Sequence, residues 1–420
     1  MATLSPLDNN RGRRVATHDP ERFVNLLRDH LAAHDKRLVF LFGAGTSSAV
    51  NVAPPAAAGV KPTYVPLIPA VAIMTARCKA AVDVVSPQHA AAWSALATEC
   101  VALDREPHIE NILGRLRLKA DAAGPGDGAL GLNESELVSL ETAIRNTIAA
   151  LASPAESEIP DAVPHDQFAN WVRHARRRLP VEIFTTNYDV LIERSLERVR
   201  TPHFDGFVGS YQPYFSPNAI ESDATMPGPD WTRVWKLHGS TNWRLADHVV
   251  IRQSNIGEGD MILPSHRKYE ESRKMPYLAL MDRLAKCLSA DGALLVTCGY
   301  SWNDEHVNAT ILTAMENHPG NGVIALMHAE LDSVPQLTKL AEKRNNLSAA
   351  GPRQAILQGT LADWALPHEI NRATASFLDV SFDSDAMPAG SGEPITGRLR
   401  LGDFNVLCAF LAAMNREGSA

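Results

Sequence analysis

The sequence lacks the paired cysteines of a zinc ribbon, the apolar run of a membrane span and the overall positive charge of a general nucleic-acid binder. Its five cysteines, Cys78, Cys100, Cys287, Cys298 and Cys408, contain no CxxC pair, so a structural zinc centre of paired cysteines is excluded on spacing and no metal is expected. An odd, widely spaced set suits reduced thiols, and a cytoplasmic location is expected. The first twenty residues hold no apolar core of a secretory leader. The longest apolar stretch, positions 50–74, is interrupted by Pro54, Pro55, Lys61, Pro62, Pro66 and Pro69. A membrane helix of about 20 residues does not tolerate that pattern, and a loop-rich segment is expected instead. Lys and Arg number 40 against 48 Asp and Glu, a formal net charge of −8. That balance argues against general nucleic-acid binding, which needs clustered positive charge, and leaves room for a local patch or a charged partner; direct nucleic-acid binding is not expected.

What is present reads as a folded α/β protein. Hydrophobic residues make up 45% of the chain and charged residues 21%, which excludes general disorder. Residues 1–18 read as a mobile tail. Phe23, Leu26, Leu27 and Leu31 recur at helical spacing over 22–33. The run 37–42 is a buried strand that enters a Gly-rich turn. Residues 86–152 are helical, with helices expected at 88–103, 108–118 and 135–151. Because this block lies between strands, it reads as an inserted helical subdomain. A helix over 166–178 ends in Arg173-His174-Ala175-Arg176-Arg177-Arg178, read as cations at a helix C-terminus rather than a nucleic-acid patch.

Strands are expected at 181–185, 233–237, 293–298 and 323–327, separated by helices at 190–199, 276–288 and 304–315. Strands alternating with helices predict a Rossmann-like parallel sheet with helices on both faces. Residues 19–330 would form this domain. Residues 331–420 would be a small α+β extension, with strands at 353–357, 373–382 and 395–401 and a closing helix at 403–414 capped by Asp403. In such a sheet ligands bind at the carboxyl ends of the strands, where the polar motifs fall.

Gly43-Ala44-Gly45-Thr46-Ser47 holds two glycines of a dinucleotide turn and lacks the third; it suits a pyrophosphate or a tight turn with no ligand. Thr185-Thr186-Asn187-Tyr188-Asp189 follows a strand, so Asn187 and Asp189 could serve a site or open the next helix. Lys236-Leu237-His238-Gly239-Ser240 ends another strand. There His238 is a candidate base or a core histidine satisfied by backbone.

In their order and spacing, these motifs together with Gly299-Tyr300-Ser301 resemble the sirtuin superfamily. Asn187 and Asp189 match its Asn and Asp, His238 its catalytic histidine, and Gly299 and Ser301 its late cofactor loop. The sirtuin zinc ribbon is absent, and Thr186 and Tyr188 replace the family's Gln and Ile. These departures, with the phrase from Gly299 to Asn308 and the closing Gly402-Asp403-Phe404-Asn405, are similar to the stand-alone sirtuin-like proteins of anti-phage defence that pair with a HerA-type hexameric ATPase.

The resemblance implies an NAD+ hydrolase that releases nicotinamide and ADP-ribose, acting through NAD+ depletion. It implies Asn187, His238 and Asp189 as the catalytic set. Gly43, Ala44, Gly45, Thr46, Ser47, Thr186, Gly239, Gly299, Tyr300 and Ser301 would bind NAD+, which is the substrate. It also implies a homo-oligomer: the tail, the helical block and the last 90 residues offer surfaces that the cofactor pocket does not need, and the segment from about Gly351 is either the contact surface or a β-rich extension packed on the sheet. A silent NAD- or ADP-ribose-binding subunit is the alternative, and a protein deacylase a weaker one.

Overall fold

The computed structural model describes residues 16–54, 63–124, 126–253, 276–366, 375–385 and 394–417. It opens with a short strand, β1 (Thr17–His18), and a helix, α1 (Pro20–Ala32), capped by the Asp19 carboxylate. Residues 17 and 18, expected in a tail, instead pair in parallel with a strand late in the chain; positions 1–15 lie outside the described residues. Next come β2 (Leu38–Phe42) and the single-turn helix α2 (Ala44–Ser48). A helical subdomain follows: α3 (Val71–Asp83), α4 (Pro87–Ala102), α5 (Ile109–Ala123) and α6 (Glu134–Leu151).

The chain then returns through α7 (Pro164–His174) to β3 (Glu182–Thr185) and α8 (Leu191–Arg198). Short strands β4 (His203–Phe204), β5 (Phe207–Val208) and β6 (Tyr214–Phe215) lead through α9 (Pro217–Ile220) to β7 (Thr232–Lys236). After β8 (Trp243–Ala246) and β9 (Val249–Arg252), α10 (Tyr277–Leu288) precedes β10 (Leu294–Cys298), α11 (Glu305–Asn317) and β11 (Gly322–Leu326). The remainder is α12 (Pro335–Ala341), β12 (Leu347–Ala350), β13 (Gln354–Leu357), β14 (Thr360–Leu366), α13 (Ala375–Ser381), β15 (Phe382–Ser384), β16 (Ile395–Leu399) and α14 (Phe404–Glu417).

One sheet organises the molecule. Its central strands run β7–β3–β2–β10–β11–β12, all parallel, with β4 beside β7. The expected Rossmann-like arrangement is therefore observed. The chain starts at β2 in the middle, fills one side through β3 and β7, then crosses to β10 and fills the other. The order reverses between β2 and β10, and that switch point is where such sheets open a crevice at their carboxyl ends.

Both faces of the sheet are covered, which is why β2 is apolar at every position. Leu38, Phe40 and Phe42 face one layer, where Phe23, Leu27, Phe168, Trp171 and Phe404 pack. Val39 and Leu41 face the other, against Leu280, Leu284, Val307 and Ile311. That split is the two-residue alternation of a strand. The helical subdomain has a core of its own, built on Cys78, Trp93, Leu96, Ile112, Leu140 and Ile144. Asn133 and Glu136 close the start of α6 with a reciprocal capping box.

Several expectations need correction. The helical block begins at Val71, not 86, because α3 follows directly on the proline-rich stretch. Helix α7 stops at His174, so Arg176, Arg177 and Arg178 lie in a loop, not at a helix end. The strand expected over 373–382 is helix α13 followed by β15; Ser381 Oγ donates to Phe377 O, a bond between residues four apart, and Phe377 meets Phe410 edge to face, ring centroids 5.3 Å apart. Positions 373 and 374 lie outside the described residues. The C-terminal part, expected as a small α+β extension, packs on the sheet: β12 to β16 continue the main sheet, and Phe404 of α14 packs 5.2 Å from Phe42 of β2.

Candidate functional site

The site forms where β2 and β10 end side by side. Gly43 N–H donates to Cys298 O at 3.3 Å and Gly45 N–H to Gly299 O at 3.0 Å, so the two loops are stitched together. No side chain fits between them. A Cβ on Gly45 would lie 2.6 Å from Gly299 Cα, and one on Gly299 would lie 2.6 Å from Thr46 N. Gly299 also has φ +65°, a left-handed conformation that favours glycine. The glycines of the two motifs are thus required by each other.

Asn187, beyond the end of β3, is fixed by this loop. Its Nδ2 donates to Gly43 O and Thr46 Oγ1, both at 3.0 Å, and to Ser47 Oγ at 2.6 Å. The amide orientation follows from these partners. Gly43 O only accepts, Thr46 Oγ1 spends its proton on Gly43 O, and Ser47 Oγ spends its proton on Asp189 Oδ2 at 2.5 Å. The carbonyl oxygen of Asn187 is therefore the atom left for a ligand. Asp189 is buried and also accepts from Leu191 N–H at 3.1 Å. It thus holds the first N–H of α8, whose N-cap position is Val190, and ties that helix to α2. The buried Lys236 ammonium supports the same turn, donating to Asp189 O and lying 3.3 Å from Glu193 Oε1.

His238 follows β7, at the turn where Gly239 takes φ +86°. Its Nε2 lies 2.9 Å from Asp304 Oδ2. The other oxygen of Asp304 caps α11, accepting from His306 N–H and Val307 N–H. Since a carboxylate accepts, Nε2 carries the proton of a neutral ring and Nδ1 is its basic atom. Tyr300 is buried, and burial followed by the nearby Asp304 charge pushes its hydroxyl pKa well up. Its proton goes to Asn308 Oδ1 at 2.8 Å, so it serves as an anchor and not as a base. Trp302, fully buried at φ +60°, turns the loop and presents its carbonyl to Asn308 Nδ2 at 2.7 Å.

Asn187, Asp189, His238, Tyr300 and Asp304 line one cleft. Of the sequence-predicted residues, Asn187, Asp189, His238 and Ser47 reach it together with Thr186, Gly43, Ala44 and the 299–301 loop. Gly45, Thr46 and Gly239 belong to the same turns without lining it. Asp304 was missed. An acid at a helix N-cap five residues past Gly299 was the available signal. Also missed was the opposite wall, where Val71, Met74, Ile109 and Ile148 bring the helical subdomain over the cleft, beside Ile68 of the preceding segment. The expectation that this block is surface unrelated to the pocket is corrected accordingly: its apolar side covers the polar strand ends. Among the described residues, no group of three or more His, Cys, Asp or Glu side chains is placed to hold a metal ion, and no helix is long and apolar enough to cross a membrane.

Residues 181–349 match the family model of the SIR2-like domain. No curated protein matches the chain. The SIR2-like span holds Asn187, Asp189, His238 and the 299–304 loop. The Gly43 loop and the helical wall lie before it, so the cleft combines matched and unmatched segments. SIR2-like domains use NAD+, which makes NAD-related chemistry the coarse reading of this cleft.

Proposed function

We propose that the protein is an NAD+ glycohydrolase: water replaces nicotinamide at the anomeric carbon of the nicotinamide ribose, giving nicotinamide, ADP-ribose and one proton. The observation that carries this reading is the convergence at the switch point of two prepared groups. These are the Asn187 carbonyl oxygen, left over after its amide is spent on the Gly43 loop, and His238 Nδ1, backed through Nε2 by Asp304.

The chemistry asks for little more. Nicotinamide leaves NAD+ as a neutral molecule, so no acid is needed. The transition state resembles an oxocarbenium ion, as in glycoside cleavage. Asn187 accepts from a ribose hydroxyl or the attacking water. His238 takes the proton at Nδ1, and Asp304 stabilises the imidazolium that results. Gly43 and Gly299 let backbone approach the pyrophosphate, with Ser301 at the ribose. Asp189 holds the turn and faces the carboxamide. The apolar wall from the helical subdomain excludes bulk water, which strengthens the remaining polar contacts.

The resemblance to defence proteins extends the proposal to a cytoplasmic homo-oligomer that docks on a HerA-type hexameric ATPase and depletes NAD+ on infection. A ring partner would gain avidity from repeated weak contacts. The competing reading, a silent NAD- or ADP-ribose-binding subunit, predicts saturable binding without cleavage. Incubating the purified chain with NAD+, alone and with the ATPase, separates them: nicotinamide release supports the hydrolase, and binding without release supports the silent subunit.

A further inference from the structure

A second groove lies at the opposite ends of the same strands. Val181, just before β3, and Thr232, which opens β7, line it, whereas Thr186 and His238, past the other ends, line the NAD+ cleft. A strand of this length separates the two by about 15 Å. The groove is strongly basic in a chain of net charge −8: Arg173, Arg176, Arg177, Arg178 and Arg200 line it against one carboxylate, Asp230.

Structural duties account for only part of this charge. Arg177 donates to Leu31 O at 2.7 Å and Lys36 O at 3.0 Å, tethering the loop to the end of α1. Arg173 Nη1 donates to Val199 O at 2.9 Å. Arg176, Arg178 and Arg200 are exposed, and their guanidinium groups form no ion pair among the described residues. Because α7 stops at His174, a helix C-terminus does not explain them. Thr201 supplies a second observation. It is 6% exposed, it lines the groove, and its hydroxyl has no hydrogen-bond partner. A buried hydroxyl in that state costs stability unless something completes it.

We propose that this groove binds the phosphodiester backbone of a single-stranded nucleic acid. Guanidinium forks pair with phosphate oxygens in two parallel bonds, and the Thr201 hydroxyl supplies a neutral donor beside them. Trp231, 41% exposed, stands in the chain between the lining residues Asp230 and Thr232 and offers a face on which a base can stack. A charged groove with an adjacent aromatic face is the recurring form of a sequence-tolerant single-strand site. The proposal is independent of the NAD+ reading.

Fluorescence anisotropy with a labelled oligonucleotide of about 20 residues tests it. The full-length chain is expected to bind, with a log–log salt slope of about −2 to −3, as three or four phosphate contacts on a single strand require. Arg176→Glu with Arg178→Glu should weaken binding at least tenfold and flatten that slope, with melting temperature and NAD+ binding unchanged. Thr201→Val, which keeps shape and charge, should lose affinity by a few fold. Absence of oligonucleotide binding at low salt, equal binding by the charge-reversed protein, or equal displacement by polyglutamate would overturn the proposal. The last result would assign the groove to an acidic protein face.

Discussion

His238 Nε2 lies 2.9 Å from Asp304 Oδ2 although 66 residues separate them in sequence. Each belongs to a turn that follows a parallel strand, β7 for the histidine and β10 for the acid. Asp304 also caps α11, so the helix that fixes the carboxylate also fixes the tautomer of the ring.

Asp304→Asn is expected to lower kcat for NAD+ cleavage by about 10²–10⁴, with a small change in KM. Asparagine caps helices about as well as aspartate, so stability should hold, while Asp304→Ala should also lose about 1 kcal/mol of cap. Steady-state kinetics beside thermal melting separate the two effects. Normal turnover in Asp304→Asn would remove Asp304 from the proposed chemistry.

Gly299→Ala should abolish NAD+ binding. Its methyl group would meet Thr46 N at 2.6 Å and Gly45 Cα at 2.9 Å, both backbone atoms, so the two loops must part. Left-handed strain adds roughly 1–2 kcal/mol to the destabilisation. Gly320→Ala, where a Cβ meets nothing within 4 Å, serves as the control. Calorimetry that detects wild-type NAD+ affinity in Gly299→Ala would contradict the account.

Acid should weaken the fold through His165. This ring is 1% exposed, both of its nitrogens lack partners, and its centroid lies 4.9 Å from that of the tilted Phe404 ring. Burial lowers its pKa from 6.5 to about 4. The unfolded chain therefore takes up this proton first. Stability is full above about pH 6.5 and is lost as pH falls towards 4, by roughly 3 kcal/mol in total. Melting curves of wild type and His165→Leu across this range should shift relative to one another, the variant gaining on the wild type as pH falls because it loses that dependence. Parallel curves would refute the assignment.

Glu182 organises the floor of the sheet, away from the cleft. It is fully buried among Arg37, Arg233 and Arg283, with Trp235 Nε1 donating to it at 2.5 Å. Glu182→Gln leaves buried cations without their counter-charge and should cost about 3–5 kcal/mol, measured by denaturant unfolding. A loss below 1 kcal/mol would mean that the half-exposed Asp223 suffices to hold the three arginines.

The parallel sheet was legible because its strands are short apolar runs that each end in a polar motif, as at Phe42–Gly43 and Leu237–His238. The nearness of Gly43 to Gly299, and of Asn187 to Ser47, depends on strand order, which local spacing does not encode. Helix α3 was hidden by the prolines before it. Helix α13 was hidden because apolar Leu378, Val380 and Phe382 alternate with polar Asp379 and Ser381 like a strand. Asp304 was missed because an acid at a helix start has an ordinary explanation as a cap, and here it is a cap and a histidine partner at once.

The central claim is that Asn187 and His238 cleave NAD+. The most direct test is chromatographic measurement of nicotinamide and ADP-ribose formed from NAD+ by the wild-type chain, Asn187→Ala and His238→Ala, each with and without the ATPase and each checked for folding by circular dichroism. The account predicts equimolar nicotinamide and ADP-ribose from the wild type and a loss of about 10²-fold or more in both folded variants. NAD+ left intact by the wild type under both conditions, or cleaved equally by the variants, would contradict it.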